Sequence, residues 1–173
     1  TDEIEHFTEK GILTKSGGEL EADIVVTATG FDLCVLGDIK FAIDGKPLDF
    51  GETVTYRGLM FTAVPNMAWV FGYFRASWTL RSDMVADFVC GLLGHMKEKG
   101  VKKVEVALRP DEEDMQRLQW IDETNFNPGY MLRGMHLLPK RLDKLEWQHT
   151  QDYWLDKDHI PGTDFRDSVF VYN

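Results

Sequence analysis

The chain has 173 residues and 43% hydrophobic side chains, enough apolar material for a core in one full domain or two small pieces. A net charge of −10, with no basic cluster interleaved with aromatics, argues against nucleic acid as the partner. No apolar run approaches the ~18 residues of a membrane span, and the acidic start Thr1-Asp2-Glu3-Ile4-Glu5 is unlike a signal peptide. The expected location is therefore the cytoplasm, and the missing initiator Met suggests a start inside a longer protein. Cys34 and Cys90 are far apart and flanked by apolar residues, which predicts two buried free thiols rather than a disulfide.

In chain order, Ile4, His6 and Thr8 alternate with charged or aromatic neighbours, Gly11 turns the chain, and Ile12-Leu13-Thr14 forms a second short strand. Ser16-Gly17-Gly18 is a strong turn signal, so the first thirty residues read as a β-meander. Ile24-Val25-Val26 is a continuous apolar run, which predicts a strand buried on both faces. It ends in Thr27-Ala28-Thr29-Gly30, side chains small enough to let the backbone approach something closely. Asp44-Gly45 predicts a hairpin within residues 39–50. Met67-Ala68-Trp69-Val70-Phe71 reads as a second buried strand ending at Gly72.

A long helix is predicted from about Thr79 to Lys99. Leu80, Met84, Val85, Phe88, Val89, Leu92, Leu93 and Met96 fall on one broad face, and Gly100 closes it. A short strand is expected over 101–106. Arg109-Pro110-Asp111-Glu112 then opens an acidic helix through about Glu123, its carboxylates complementing the helix dipole. Residues 124–173 lack sustained periodicity and read as ordered irregular chain, with Trp120, Trp147, Tyr153 and Trp154 anchoring it by burial.

Chemistry concentrates where the second buried strand ends. A strand, a glycine, a loop and a helix in succession aim free helical amides at the loop, a site suited to an anion or a carbonyl oxygen. Ser77 or Thr79 is the expected cap. On spacing alone this is equally an ordinary capped helix. Arg75 and Arg81 flank the helix start, within reach of a phosphate or ribose, but solvent-facing charges are the expected reading. The histidines show no ligand spacing with one another or with cysteine, which argues against a metal site.

Several words in this sequence point further. Asp23-Ile24-Val25-Val26-Thr27-Ala28-Thr29-Gly30-Phe31 resembles the Ala-Thr-Gly motif of flavin-containing and Baeyer–Villiger monooxygenases. Val64-Pro65-Asn66-Met67-Ala68-Trp69-Val70-Phe71-Gly72-Tyr73 and Ala76-Ser77-Trp78-Thr79-Leu80 are similar to their C-terminal flavin-domain segment. The likeness is greatest to the Baeyer–Villiger subgroup that includes the ethionamide-activating enzymes. Phe126-Asn127-Pro128-Gly129-Tyr130, His136-Leu137-Leu138-Pro139-Lys140 and the region from Trp147 to Trp154 follow the same subgroup's tail.

That resemblance implies an α/β parent with two Rossmann-like dinucleotide-binding domains, FAD and NADPH as cofactors, and a C-terminal fragment that is α+β when viewed alone. Residues 1–29 would end the NADP-binding domain at an interdomain hinge, 30–100 would belong to the FAD-binding domain, and 101–173 would wrap the surface. Thr29 and Gly30 become hinge and cofactor-side candidates, and Gly72, Ser77, Trp78 and Thr79 become flavin-side candidates. The implied parent uses NADPH and O₂ to insert one oxygen into a ketone or to oxidise a sulfide or amine. No GxGxxG occurs in the sequence, nor the family's Phe-x-Gly-x-x-x-His-x-x-x-Trp fingerprint, so an isolated chain is expected to be inactive. Lost sheet neighbours would favour self-association, as a dimer or swapped assembly. The rival reading is a stand-alone interaction module derived from the flavoprotein fold.

Overall fold

A computed structural model describes residues 2–173. Two compact units divide the chain between residues 31 and 32.

The first unit is an antiparallel meander of β1 (Ile4–Phe7), β2 (Gly11–Thr14) and β3 (Glu19–Glu21), in that spatial order. Ile12 sits opposite both Phe7 and Leu20. Gly11 is required by close approach, since a Cβ there would fall 2.0 Å from the Leu20 carbonyl oxygen. Thr14 Oγ1 donates to Gly18 O at 2.9 Å and closes the glycine turn. The meander agrees with the sequence; the buried strand after it does not. Ile24 and Val26 are each 82% exposed, and residues 23–31 belong to no ladder. A strand persists only where neighbours accept its amides and cover its faces, and no described residue pairs with this one.

The second unit opens with the hairpin of β4 (Ala42–Ile43) and β5 (Lys46–Pro47). Asp44 and Gly45 both take positive φ, 50° and 78°, the twist the Asp-Gly pair predicts. A second hairpin joins β6 (Thr55–Tyr56) to β7 (Met60–Phe61). Residues 67–71 are not a strand. Trp69 fixes them instead, its amide donating to Leu59 O at 3.0 Å and its indole to Gly58 O at 2.9 Å.

Helix α1 (Trp78–Lys99) begins at Ser77 and stops at Gly100, whose φ of 69° lets its amide reach the Lys97 and Met96 carbonyls. Met84, Val85, Phe88, Leu92 and Met96 form its buried face, packed against Ile160, Val169 and Phe170. Burying each such side chain stabilises by about 1.5–3 kcal/mol. The stripe is narrower than predicted. Leu80 and Leu93 are exposed, because each lies one residue, about 100°, round from the buried Arg81 or Leu92. Cys90 is exposed on the outer face of α1 and Cys34 on a loop, correcting the expectation of buried thiols.

β8 (Val104–Val106) pairs antiparallel with β9 (Phe170–Tyr172), so the chain end returns to the core. The acidic helix over 109–123 does not form. Glu112 turns inward, accepts from the Arg109 amide at 2.9 Å and is completely buried, which commits the local backbone to turns. The later segment holds α2 (Gly129–Gly134), α3 (Tyr153–His159) and short 3₁₀ turns. Trp120 and Trp147 anchor it as expected, whereas Trp154 is 71% exposed. The described strands pair antiparallel in short ladders, and two isolated bridges, Val54–Lys140 and Thr62–Val106, are parallel; the content is mixed helix and strand, compatible with α+β, with no parallel sheet among the described residues.

Candidate functional site

Four of the six residues singled out by sequence come together at the start of α1. Ser77 Oγ accepts from the Thr79 amide at 3.4 Å and lies 2.7 Å from Thr79 Oγ1, so it is the N-cap. Gly72 is buried beneath the indole of Trp78, and a Cβ there would fall 2.2 Å from Trp78 Cγ. The space spared by Gly72 is therefore taken by Trp78 rather than left open to a ligand. Trp78 also leans on Phe71, with ring centres 5.3 Å apart, and keeps half its surface exposed. Thr29 and Gly30 lie in the first unit, both exposed. Gly30 has a φ of 88°, a bend that glycine adopts readily, and no described residue beyond its chain neighbours comes within 4 Å of a notional Cβ there.

Two cavities flank this loop in the second unit. One, of about 530 Å³, is apolar and largely aromatic, with Trp69, Phe71, Tyr73, Trp78 and Tyr130 in its wall. The other, of about 500 Å³, carries polar groups that include Arg75, Arg141 and Gln148. Phe74 and Phe126 line both cavities. Their rings stack 3.9 Å apart and 8° from parallel, forming a shared partition.

Loop 71–74 is held at three points by residues 149–156. The Gln151 carboxamide accepts from the Phe74 amide at 2.7 Å and donates to His149 Nδ1 at 2.9 Å. An imidazole accepting at Nδ1 must carry its proton on Nε2, which donates to Phe71 O at 3.0 Å. Burial, and then the charge of Arg81, press the His149 pKa down to about 3, so the ring is neutral. The third hold is Tyr73, whose hydroxyl donates to Asp156 Oδ2 at 2.7 Å. Burial and that carboxylate raise the phenol well above its usual range.

Arg81 corrects the sequence expectation outright. It is fully buried, paired with Asp156, and donates to Arg57 O, while Thr150 donates to the other Asp156 oxygen. A cation in the first turns of a helix opposes the dipole; burial against a carboxylate from α3 offsets that. Arg75 is exposed as expected and donates to Asn125 O at 3.0 Å. Sequence reasoning weighs His149 only as a metal ligand and misses the tethering role of His149, Gln151 and Asp156, because the partners lie 75 to 83 residues away. No group of described His, Cys, Asp or Glu residues could hold a metal ion.

A second charged cluster ties the same unit together elsewhere. Arg109 pairs with Glu112, Glu146 and Asp167, and Lys144 adds a second cation to Glu112 at 2.7 Å. Burial favours the neutral Glu112 acid, but hydrogen bonds from Lys144 and the Arg109 amide outweigh it and hold the carboxyl down at about 2. These groups are saturated by one another and lie outside both cavities.

No family model matches the chain. It is 39% identical over all 173 residues to the probable FAD-binding monooxygenase AlmA of Acinetobacter baylyi, of which it covers 34%. It is also 44% identical over 156 residues to the FAD-containing monooxygenase EthA of Mycolicibacterium smegmatis. That match covers 90% of the chain and 31% of the relative. The chain is a homologue of FAD-containing monooxygenases. The monooxygenase EthA of Mycobacterium tuberculosis matches over the same length at 43% identity. This monooxygenase homologue spans about a third of the length of the curated relatives it matches. Among its described residues, no helix is long and apolar enough to cross a membrane.

Proposed function

We propose that the chain is the C-terminal portion of an FAD- and NADPH-dependent monooxygenase that uses O₂ to insert one oxygen into a ketone or to oxidise a sulfide or amine. In this reading the apolar cavity forms part of the wall beside the flavin ring. The observation that carries it is similarity to monooxygenases named for FAD, at 39% identity along the whole chain and 44% along 90% of it.

The local chemistry supports a ring and not a diphosphate. An aromatic cavity beside the amino end of a 22-residue helix suits a flat heteroaromatic ring that gathers negative charge. No glycine-rich phosphate turn is present in the sequence. When bound, FAD supplies the electron transfer from NADPH to O₂ that these side chains cannot perform. The chain's own part is to exclude water with Trp78 and Phe71, to present the α1 amino end, and to fix loop 71–74 through His149, Gln151 and Asp156. The break between compact units at residue 31 supports a change of domain near the Thr29-Gly30 hinge. Residues 1–29 then close the NADP-binding domain, and later residues complete the FAD-binding domain and its wrapping tail.

The test is a visible absorption spectrum of the purified full-length polypeptide, followed by NADPH-dependent oxygen uptake with a ketone and with a sulfide. Flavin bands and substrate-stimulated uptake are expected, with less flavin retained in Trp78→Ala. A folded, colourless full-length protein refutes the reading. The 173-residue chain alone is expected to show no oxygen uptake.

A further inference from the structure

The polar cavity of about 500 Å³ is given no ligand in the reading above. We infer that it binds a planar aromatic compound bearing one anionic group, a carboxylate or a phosphate ester.

One aromatic wall and two cations carry this assignment. Trp120 and His149, stacked on one another with ring centres 4.9 Å apart and nearly buried, form a rigid floor, and the half-buried Phe74–Phe126 pair supplies the aromatic surface. A ring entering such a space gains apolar contact on rigid side chains with little rotamer freedom to lose. Arg75 and Arg141 bring positive charge to the same cavity. Each guanidinium is anchored by a single neutral carbonyl, Arg75 by Asn125 O and Arg141 by Gln119 O at 2.9 Å. That contact orients each fork without neutralising it, although Arg141 also feels the Asp122 carboxylate, whose pKa it helps to lower. Four of the five N–H donors of each remain for an incoming anion.

Asp122 is the one carboxylate in the lining. Its Oδ1 is already occupied by the Thr124 amide and hydroxyl, at 2.9 and 2.7 Å. His149 is neutral, with both nitrogens engaged by Gln151 and Phe71, and contributes no charge. Two cations against one carboxylate leave the cavity locally positive in a chain of net charge −10. Electrostatics and shape thus select together for an aromatic anion.

The experiment is calorimetric titration of the full-length polypeptide with 1-naphthoate, 1-naphthyl phosphate, neutral 1-naphthamide and inorganic phosphate. The two aromatic anions should bind with one-to-one stoichiometry, and the amide and bare phosphate at least tenfold more weakly. Arg75→Gln and Arg141→Gln should each weaken the aromatic anions at least ~tenfold, the loss expected for a charge-assisted pair. Both substitutions lie at surface-reaching side chains, and thermal unfolding reports whether each variant keeps its fold. Equal binding of naphthamide, undiminished binding in a folded double variant, equal binding of bare phosphate, or no binding at all overturns the proposal. Flavin content, read by absorbance on the same sample, is a separate outcome.

Discussion

His149 should make this chain acid-sensitive well above the pH at which its carboxylates titrate. An unfolded histidine titrates near 6.5, whereas the buried ring stays neutral down to about 3. The unfolded state therefore takes up a proton that the folded state refuses, and stability falls as pH falls through that window. Between pH 7 and pH 5 the loss from this one group is roughly 1.9 kcal/mol, and it approaches about 1.4 kcal/mol for each further pH unit until the folded value is reached. Glu112, depressed from 4.5 to about 2, adds little above pH 5 and acts equally in wild type and variant. The assay is urea unfolding at pH 7, 6 and 5, followed by tryptophan fluorescence, because Trp120 stacks on the imidazole. His149→Gln keeps a donor able to reach Phe71 O but cannot be protonated. It should be less stable at pH 7 and should lose close to 2 kcal/mol less than wild type on going to pH 5. Equal slopes for the two proteins would show that His149 is not the buried neutral ring described above.

Asp156→Ala strands the buried Arg81 cation and should cost about 3–5 kcal/mol, read as a fall in the urea midpoint; the double change Arg81→Met with Asp156→Leu should recover much of that loss. Gly72→Ala places a methyl against the Trp78 indole and should destabilise by about 1–3 kcal/mol. A double-mutant cycle with Trp78→Ala should remove most of that penalty, and additive costs would refute the contact. Glu112→Gln abolishes a carboxylate whose stabilisation is complete above pH 4.5 and is lost as pH falls toward 2. It should cost roughly 3 kcal/mol at pH 7 and flatten the acid limb of the stability curve, as measured by equilibrium unfolding from pH 5 to 2.

Features set by neighbours in sequence were legible before the structure. Helix α1, its Ser77 cap and Gly100 stop, the glycine turns of the meander and the Asp44-Gly45 hairpin each depend on local periodicity or on a backbone angle that one residue type supplies. The misread segments depend on partners far away. Ile24-Val25-Val26 has the composition of a buried strand, but composition does not provide a ladder. Arg81 reads as a solvated charge until Asp156 arrives from α3, and Glu112 as an exposed helical carboxylate until Lys144 and Arg109 close on it. In the candidate site the Ser77 cap, two residues from the amide it serves, could be located, whereas the packing of Trp78 over Gly72 could not, since spacing does not say which way an indole turns. The His149–Gln151–Asp156 hold could not, since nothing near those residues signals which loop they fasten.

That separation also sets an order of events during synthesis. Tyr73 is 83 residues upstream of Asp156, and Arg81 is 75 upstream. At about 5–20 residues per second, the amino end of α1 waits roughly 4–17 s for its counter-charge to be made. Until then Arg81 cannot enter the interior without an unpaired charge, and Ile160, Val169 and Phe170, which cover Phe88, Leu92 and Met96, are made later still, so α1 completes its docking only once the chain end has been made. A nascent chain halted before residue 149 should hold its helix while the Gly72 loop stays unlatched and open to proteases.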